Sequence, residues 1–223
     1  MAAPEGGVRA RLWDAPVRIV HWALVALILF SWWASEDHLN WHRWSGYTIL
    51  GLVVFRVLWG FAGGGAARFA SFVKGPGQVA AYARTLFDRA PSNVPGHNPM
   101  GGWSVLAILA VLLVQVGTGL FTVDIDAFEG GPLSDRVSFE TGRAMAEIHE
   151  LVFRVLQGLV VLHVAAVVFY LVYKRTNLIR PMVTGWRTFP SDPGLAGAPA
   201  WRFVLCVAVA AALAWFVSKG LRL

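Results

Sequence analysis

The sequence predicts an all-α integral membrane protein, a four-helix transmembrane bundle plus a fifth C-terminal span. Three observations predict it. Hydrophobic residues make up 57% of the 223 residues and charged ones only 14%, against about 25% charged in an ordinary soluble domain. The apolar residues gather into five runs that reach or approach the ~20 residues a helix needs to cross a bilayer. Many of the eleven Trp sit at the ends of those runs, where indole rings settle at a membrane–water interface. This composition excludes a soluble globular enzyme and a disordered chain.

The first run, 17–34, carries no charge between Arg18 and Glu36. Arg9, Arg11 and Arg18 precede it in the manner of a secretory signal, but Trp32-Trp33-Ala34-Ser35 puts a bulky ring where cleavage requires a small residue, so the segment is expected to be retained. The second run, 44–61, holds only Arg56. The third, 103–123, is free of charge. The fourth, 148–173, contains Arg154. The fifth, 201–217, is the shortest and is rich in Ala.

Lys and Arg distribute unevenly between the two sides, 12 on the side of the N-terminal tail, the 62–102 loop and the 174–202 segment (Arg202 included), and 5 on the other. By the positive-inside bias the N-terminus is cytoplasmic. Five spans then leave the C-terminus outside, against which Lys219 and Arg222 stand as a mild objection. The net charge of +6 and pI ≈ 10.1 do not indicate nucleic acid, because the basic residues are scattered over several loops. Cys206 is the single cysteine, so there is no intramolecular disulfide framework and no thiolate cluster. Residues 79–89 place Val79, Tyr82, Ala83, Leu86 and Phe87 at helical spacing opposite Arg84 and Arg89, the pattern of an amphipathic helix on the membrane surface. The 124–147 loop, with Asp124, Asp126, Glu129, Asp135, Glu140 and Glu147, is acidic and long enough to serve as an outer docking surface. No internal repeat is present.

Four of the six histidines form a pattern. Intramembrane ligand-capable residues are costly in lipid and mark function. His149 and His163 lie fourteen residues apart on the fourth span, within about 40° of one helix face and about 21 Å apart along the axis. His21 enters at the inner level of the first span and His42 at the outer start of the second. Depth therefore pairs His21 with His163 and His42 with His149, while the crossed pairings would join opposite leaflets. Two stacked imidazole pairs in a helical bundle are what two bis-histidine haems need. His38, one turn before His42, competes with it for the outer position. A closed zinc or copper site would gather its ligands at one depth, and here they divide into two.

Arg56 follows His42 by fourteen residues, on the same face and near the inner level, where a haem propionate is a ready partner; the competing reading is a snorkelling boundary Arg. Gly46, one turn after His42, admits a flat macrocycle or a close helix contact. Arg154 is a further propionate candidate. His97, before the third span, is either a proton relay at a quinone site or an ordinary loop histidine.

These residues resemble a known family. Trp13-Asp14-Ala15-Pro16-Val17-Arg18 leading to His21-Trp22, His42-Arg43-Trp44-Ser45-Gly46 with Arg56, Gly96-His97-Asn98-Pro99, and His149-Glu150 with His163, Asn177-Leu178 and Pro181-Met182 resemble the bacterial cytochrome b561-type proteins. That group includes the b-type cytochrome subunits of nickel–iron hydrogenases and is similar in plan to formate dehydrogenase membrane subunits. The resemblance spans residues 11–187 and implies a dihaem transmembrane domain there, with 201–217 as an additional helix outside the usual core.

What the resemblance implies is a bacterial inner-membrane cytochrome holding two haem b groups on His21, His42, His149 and His163. It would exchange electrons between the membrane quinone pool, with a quinone bound, and a periplasmic redox partner such as a c-type cytochrome or an oxidoreductase subunit. One alternative is the cytochrome subunit of a specific hydrogenase or dehydrogenase complex. An alternative of another class is a non-redox membrane anchor or transporter. The sequence contains no phosphate-binding loop or nucleophile arrangement, so no catalytic residue is assigned.

Overall fold

The computed structural model describes residues 7–89, 94–123 and 129–222. In chain order its elements are β1 (Val8–Arg11), α1 (Ala15–Trp33), α2 (Leu39–Ala62), α3 (Phe69–Phe72), α4 (Pro76–Arg84), α5 (Pro99–Gly119), α6 (Phe139–Val172), α7 (Ile179–Thr184), β2 (Trp186–Phe189) and α8 (Ala200–Ser218). Among the described residues five helices, α1, α2, α5, α6 and α8, are long and apolar enough to cross a membrane. They correspond to the five apolar runs of the sequence.

Capping chemistry sets the ends. The Asp14 carboxylate accepts the Val17 N–H at 2.9 Å and starts α1. Asn98 does the same for Gly101 at 2.8 Å, with Pro99 already fixed in a helical φ. Ser138 meets the Thr141 N–H at 3.3 Å, so α6 begins well before its apolar run and carries Glu140, Arg143 and Glu147 on its first turns. α5 ends at Gly119, short of the expected 123, because the chain turns there: Leu133 N–H donates to Leu120 at 2.9 Å and Gly131 N–H to Thr122 at 2.8 Å.

The chain divides into two compact units. The first comprises the described residues of 1–19, 58–107 and 160–203. In it β1 pairs antiparallel with β2, Arg11 opposite Trp186 and Arg9 opposite Thr188, and both guanidinium groups lie over the Trp186 ring, at 5.0 and 5.8 Å. Gly185, at φ +87, takes a left-handed turn that glycine adopts without steric cost and offers its carbonyl to the Leu12 and Trp13 N–H groups. The other oxygen of Asp14 accepts the buried Trp59 indole N–H at 2.8 Å.

The amphipathic segment expected at 79–89 is helical only through Arg84. Its start is fixed earlier by Pro76, and beyond Thr85 the backbone is used in tertiary bonds, Phe87 C=O accepting the Tyr173 hydroxyl at 2.8 Å and Thr85 C=O the Lys174 ammonium at 3.3 Å. Tyr82 projects onto Tyr170, the two hydroxyls forming a hydrogen bond. His97 packs between the rings of Trp13 and Phe72, at 4.8 and 4.7 Å.

The second unit comprises the described residues of 20–57, 108–159 and 204–223. Ile49 and Val53 of α2, Leu112 and Val116 of α5, Leu156 of α6 and Cys206 and Ala210 of α8 are buried in it. α2 and α8 come together at Gly51, where a Cβ would stand in ordinary van der Waals contact with that of Ala214, at 3.4 Å. Past α8 the chain is tied to the 129–137 segment: Arg136 donates to the Gly220 carbonyl at 2.9 Å, and Arg222 pairs with Asp135. Arg222, one of the two cations that weigh against this end's expected location, therefore has its counter-ion within the chain. Asp124 and Asp126 of the acidic loop lie outside the described residues.

Candidate functional site

Within the second unit, α2 and α6 bring His42 and His149 together, with ring centroids 6.1 Å apart and planes at 82°. Each ring is tethered by a neighbouring helix. His42 Nδ1 lies 2.8 Å from the Ser31 carbonyl of α1, and His149 Nδ1 lies 2.8 Å from the Gln115 carbonyl of α5. Ser31 stands in the last turn of α1, where carbonyls lack an intrahelical donor. A carbonyl only accepts, so in both rings Nδ1 carries the hydrogen and Nε2 keeps its lone pair. Such a tether fixes tautomer and ring orientation for coordination through the other nitrogen. The Gln115 side-chain amide donates to His149 Nε2 at 3.0 Å, and its Oε1 is buried with no hydrogen-bond partner among the described residues.

A cavity of about 450 Å³ opens beside these rings, within the range of small-molecule and cofactor sites. Its deep wall is apolar, including Ile49, Leu112 and Leu156 on three different helices.

 Its exposed end carries Arg43, Arg143, Glu129 and Glu150. Gly46 borders the cavity with nothing within 4 Å of where a Cβ would sit, whereas a Cβ at Gly119 would come within 2.8 Å of the His149 ring. Arg43 pairs with Glu129 at 2.8 Å.

The sequence-derived candidates separate as follows. His42 faces His149, while His38 stacks with Trp33 and Trp41 at 5.2 and 4.9 Å. Arg154 pairs with Glu150 one turn away on an exposed face and does not line the cavity. Arg56 is buried on α2 outside the cavity lining. His21, on α1, sets its ring perpendicular to Trp22 at 5.0 Å. His163 is on α6 and is exposed. His21 and His163 belong to different units. Ser31, Gln115, Gly119, Arg43 and Arg143 were not singled out beforehand as parts of the site. Gln115 carried a readable signal, an amide in an otherwise apolar, charge-free span.

Membrane-spanning helices that set a tethered imidazole pair beside an apolar slot have the chemistry that a membrane b-type cytochrome uses. Residues 12–185 match the family model for prokaryotic cytochrome b561, and the chain belongs to that family. No curated protein and no solved structure gives a significant match to the chain. Membership makes this a multi-pass bacterial membrane protein that binds haem b and takes part in electron transport.

The residues present fit that group. His42 and His149 come from different helices and both border the cavity, each with Nδ1 tied to a backbone carbonyl so that Nε2 is the nitrogen that could coordinate. The His42 and His149 rings are 6.1 Å apart. The open space at Gly46 and the apolar wall suit a flat macrocycle.

Proposed function

We propose that the chain is an inner-membrane dihaem cytochrome b that carries electrons across the bilayer between the quinone pool and a periplasmic redox partner. His42 and His149 are the axial ligands of the outer haem, and His21 and His163 those of the inner one, fourteen residues along α6 from His149. Haem iron, when bound, supplies reversible one-electron chemistry. The chain supplies the rest. The Ser31 and Gln115 carbonyls hold the two outer rings in the tautomer that keeps the lone pair on Nε2, and in His149 the Gln115 amide, which donates to that nitrogen, has to give it up for coordination. The apolar wall excludes water, Gly46 leaves room for the ring edge, and Arg56 answers a propionate of the inner haem. Residues 11–187 carry both haems, and 201–217 adds a span packed beside α2.

The observation that carries this reading is the His42–His149 pair, 6.1 Å apart with both Nδ1–H groups held by carbonyls. The N-terminus is cytoplasmic in this reading, on the excess of Lys and Arg in the tail and in the loops on its side of the membrane. The partner is a c-type cytochrome or an oxidoreductase subunit meeting the outer side.

A dithionite-reduced minus oxidised spectrum of the purified chain, with pyridine-haemochrome quantitation, tests it. Two b haems per chain are expected, with one lost in His42→Ala and one in His163→Ala. A colourless protein that inserts normally would leave a membrane anchor or transporter in place of a cytochrome. Two haems surviving His42→Ala would move the outer ligand to His38.

A further inference from the structure

The charged end of the outer cavity has a composition that the histidine pair does not explain. Exposure grades along the cavity, from 2% at Leu156 and 3% at Leu112 to side chains 25% exposed at Arg43 and 44% at Glu129. Of the described residues lining it, Arg43 and Arg143 are the cations and Glu129 and Glu150 the acids. Glu150 is drawn to Arg154, which is not part of the lining. Arg43 is the residue next to His42, and Arg143 lies on the same helix as His149, in its first turns. A haem presents the matching pattern, an apolar macrocycle with two carboxylates on one edge. Carboxylates at the edge of an apolar slot need cationic hydrogen-bond donors, and the guanidinium fork binds them in two-pronged fashion.

We propose that Arg43 and Arg143 take the propionates of the haem held by His42 and His149, and that Glu129 holds Arg43 in competition with one propionate. This rests on the dihaem reading above. The pair has a consequence beyond binding. Oxidation adds one positive charge at the iron, so a nearby cation favours the reduced form and a nearby anion the oxidised form. Arg43 and Arg143 raise the outer haem's midpoint potential, and Glu129 offsets part of that effect.

Potentiometric titration of the purified full-length chain, followed in the haem α-band, tests this with Arg43→Ala, Arg43→Lys, Arg143→Ala and Glu129→Gln. The expected result is that both Arg→Ala variants lower one of the two midpoint potentials and leave the other in place. Arg43→Lys should recover part of the loss, and Glu129→Gln should raise the same potential. A three- to tenfold change in the reduced-to-oxidised ratio at fixed applied potential is expected for each Arg→Ala variant. The proposal is overturned if both potentials stay where they are, if the potential assigned by His163→Ala to the inner haem moves instead, or if Glu129→Gln lowers the potential. Should Arg43→Ala fail to insert or to load haem, the sign of the Glu129→Gln shift decides. Wild-type protein without haem would overturn the dihaem reading itself, a result distinct from two normal haems with unmoved potentials.

Discussion

The carbonyl oxygen of Gln115 lies 2.8 Å from Nδ1 of His149, and a missing side chain one turn further along α5 makes that contact possible. Gly119 leaves the space the imidazole occupies: a Cβ there would approach the ring's Cε1 to 2.8 Å and Nδ1 to 3.1 Å. Backbone carbonyl, absent methyl and ring form one arrangement, with α5 setting the orientation of a residue on α6.

Gly119→Ala is therefore expected to push the His149 ring away from its carbonyl. Overpacking of this kind costs about 1–3 kcal/mol. Haem content per chain should fall below that of the unaltered protein. Gly46→Ala, with nothing within 4 Å of the new methyl, should keep or slightly raise the melting temperature of the haem-free protein, since alanine is favoured over glycine in a helix by about 0.5–1 kcal/mol. Its methyl enters the space proposed for the macrocycle edge and lowers haem content. Equal destabilisation of the two haem-free variants would contradict the structural difference between the sites.

Asp14 joins two elements of the first unit, capping α1 and accepting the Trp59 indole. Asp14→Ala removes a cap worth about 0.5–2 kcal/mol and strands a buried N–H at a cost of about 1–3 kcal/mol. Thermal unfolding in detergent should show a clear loss of stability. Asp14→Asn should recover much of it, because the amide oxygen still caps. Equal losses in the two variants would argue against the capping role.

The tie between the end of α8 and the 129–137 segment has two parts of unequal weight. The Arg222–Asp135 pair is well exposed, 69% and 49% by side chain, and surface pairs are worth about 0–1 kcal/mol. Arg222→Ala should barely move the melting temperature, and raising the salt concentration should erase the difference. Arg136→Ala removes the donor to the Gly220 carbonyl and should be the more destabilising, by about 1–3 kcal/mol for a charged donor. The reverse order of the two variants would refute this assignment.

Membrane orientation is checked by labelling with an impermeant maleimide in a Cys206→Ser background. Glu36→Cys should react in intact spheroplasts and Arg84→Cys only after permeabilisation. The opposite pattern would place the N-terminus outside.

The amphipathic segment and the N-terminal strand show where sequence reading stops. Tyr82, Leu86 and Phe87 carry a helical period, yet only Tyr82 lies in the helix, because the Phe87 carbonyl is taken by Tyr173. Nothing near Val8–Arg11 announces a strand. Its partner is Trp186–Phe189, far away in the chain, and a four-residue strand has too little alternation to be recognised by itself. The histidines behaved differently, since the fourteen-residue spacing of His149 and His163 needs only the 3.6-residue period of one helix.

Five membrane helices and the family membership were determined by the sequence alone, because the length and apolar character of a span are local properties of a chain in lipid. The same is true of which histidines stand on one face of α6. The tertiary structure decided what local pattern cannot encode: that His42 and not His38 faces His149, that Ser31 and Gln115 carbonyls hold the two rings, that Gly119 gives one of them room, and that Arg43 and Arg143 line the slot while Arg154 turns to Glu150. Each of these depends on the rotation of one helix against another. That rotation is set by side-chain packing across residues distant in sequence, to which no single helix's periodicity responds.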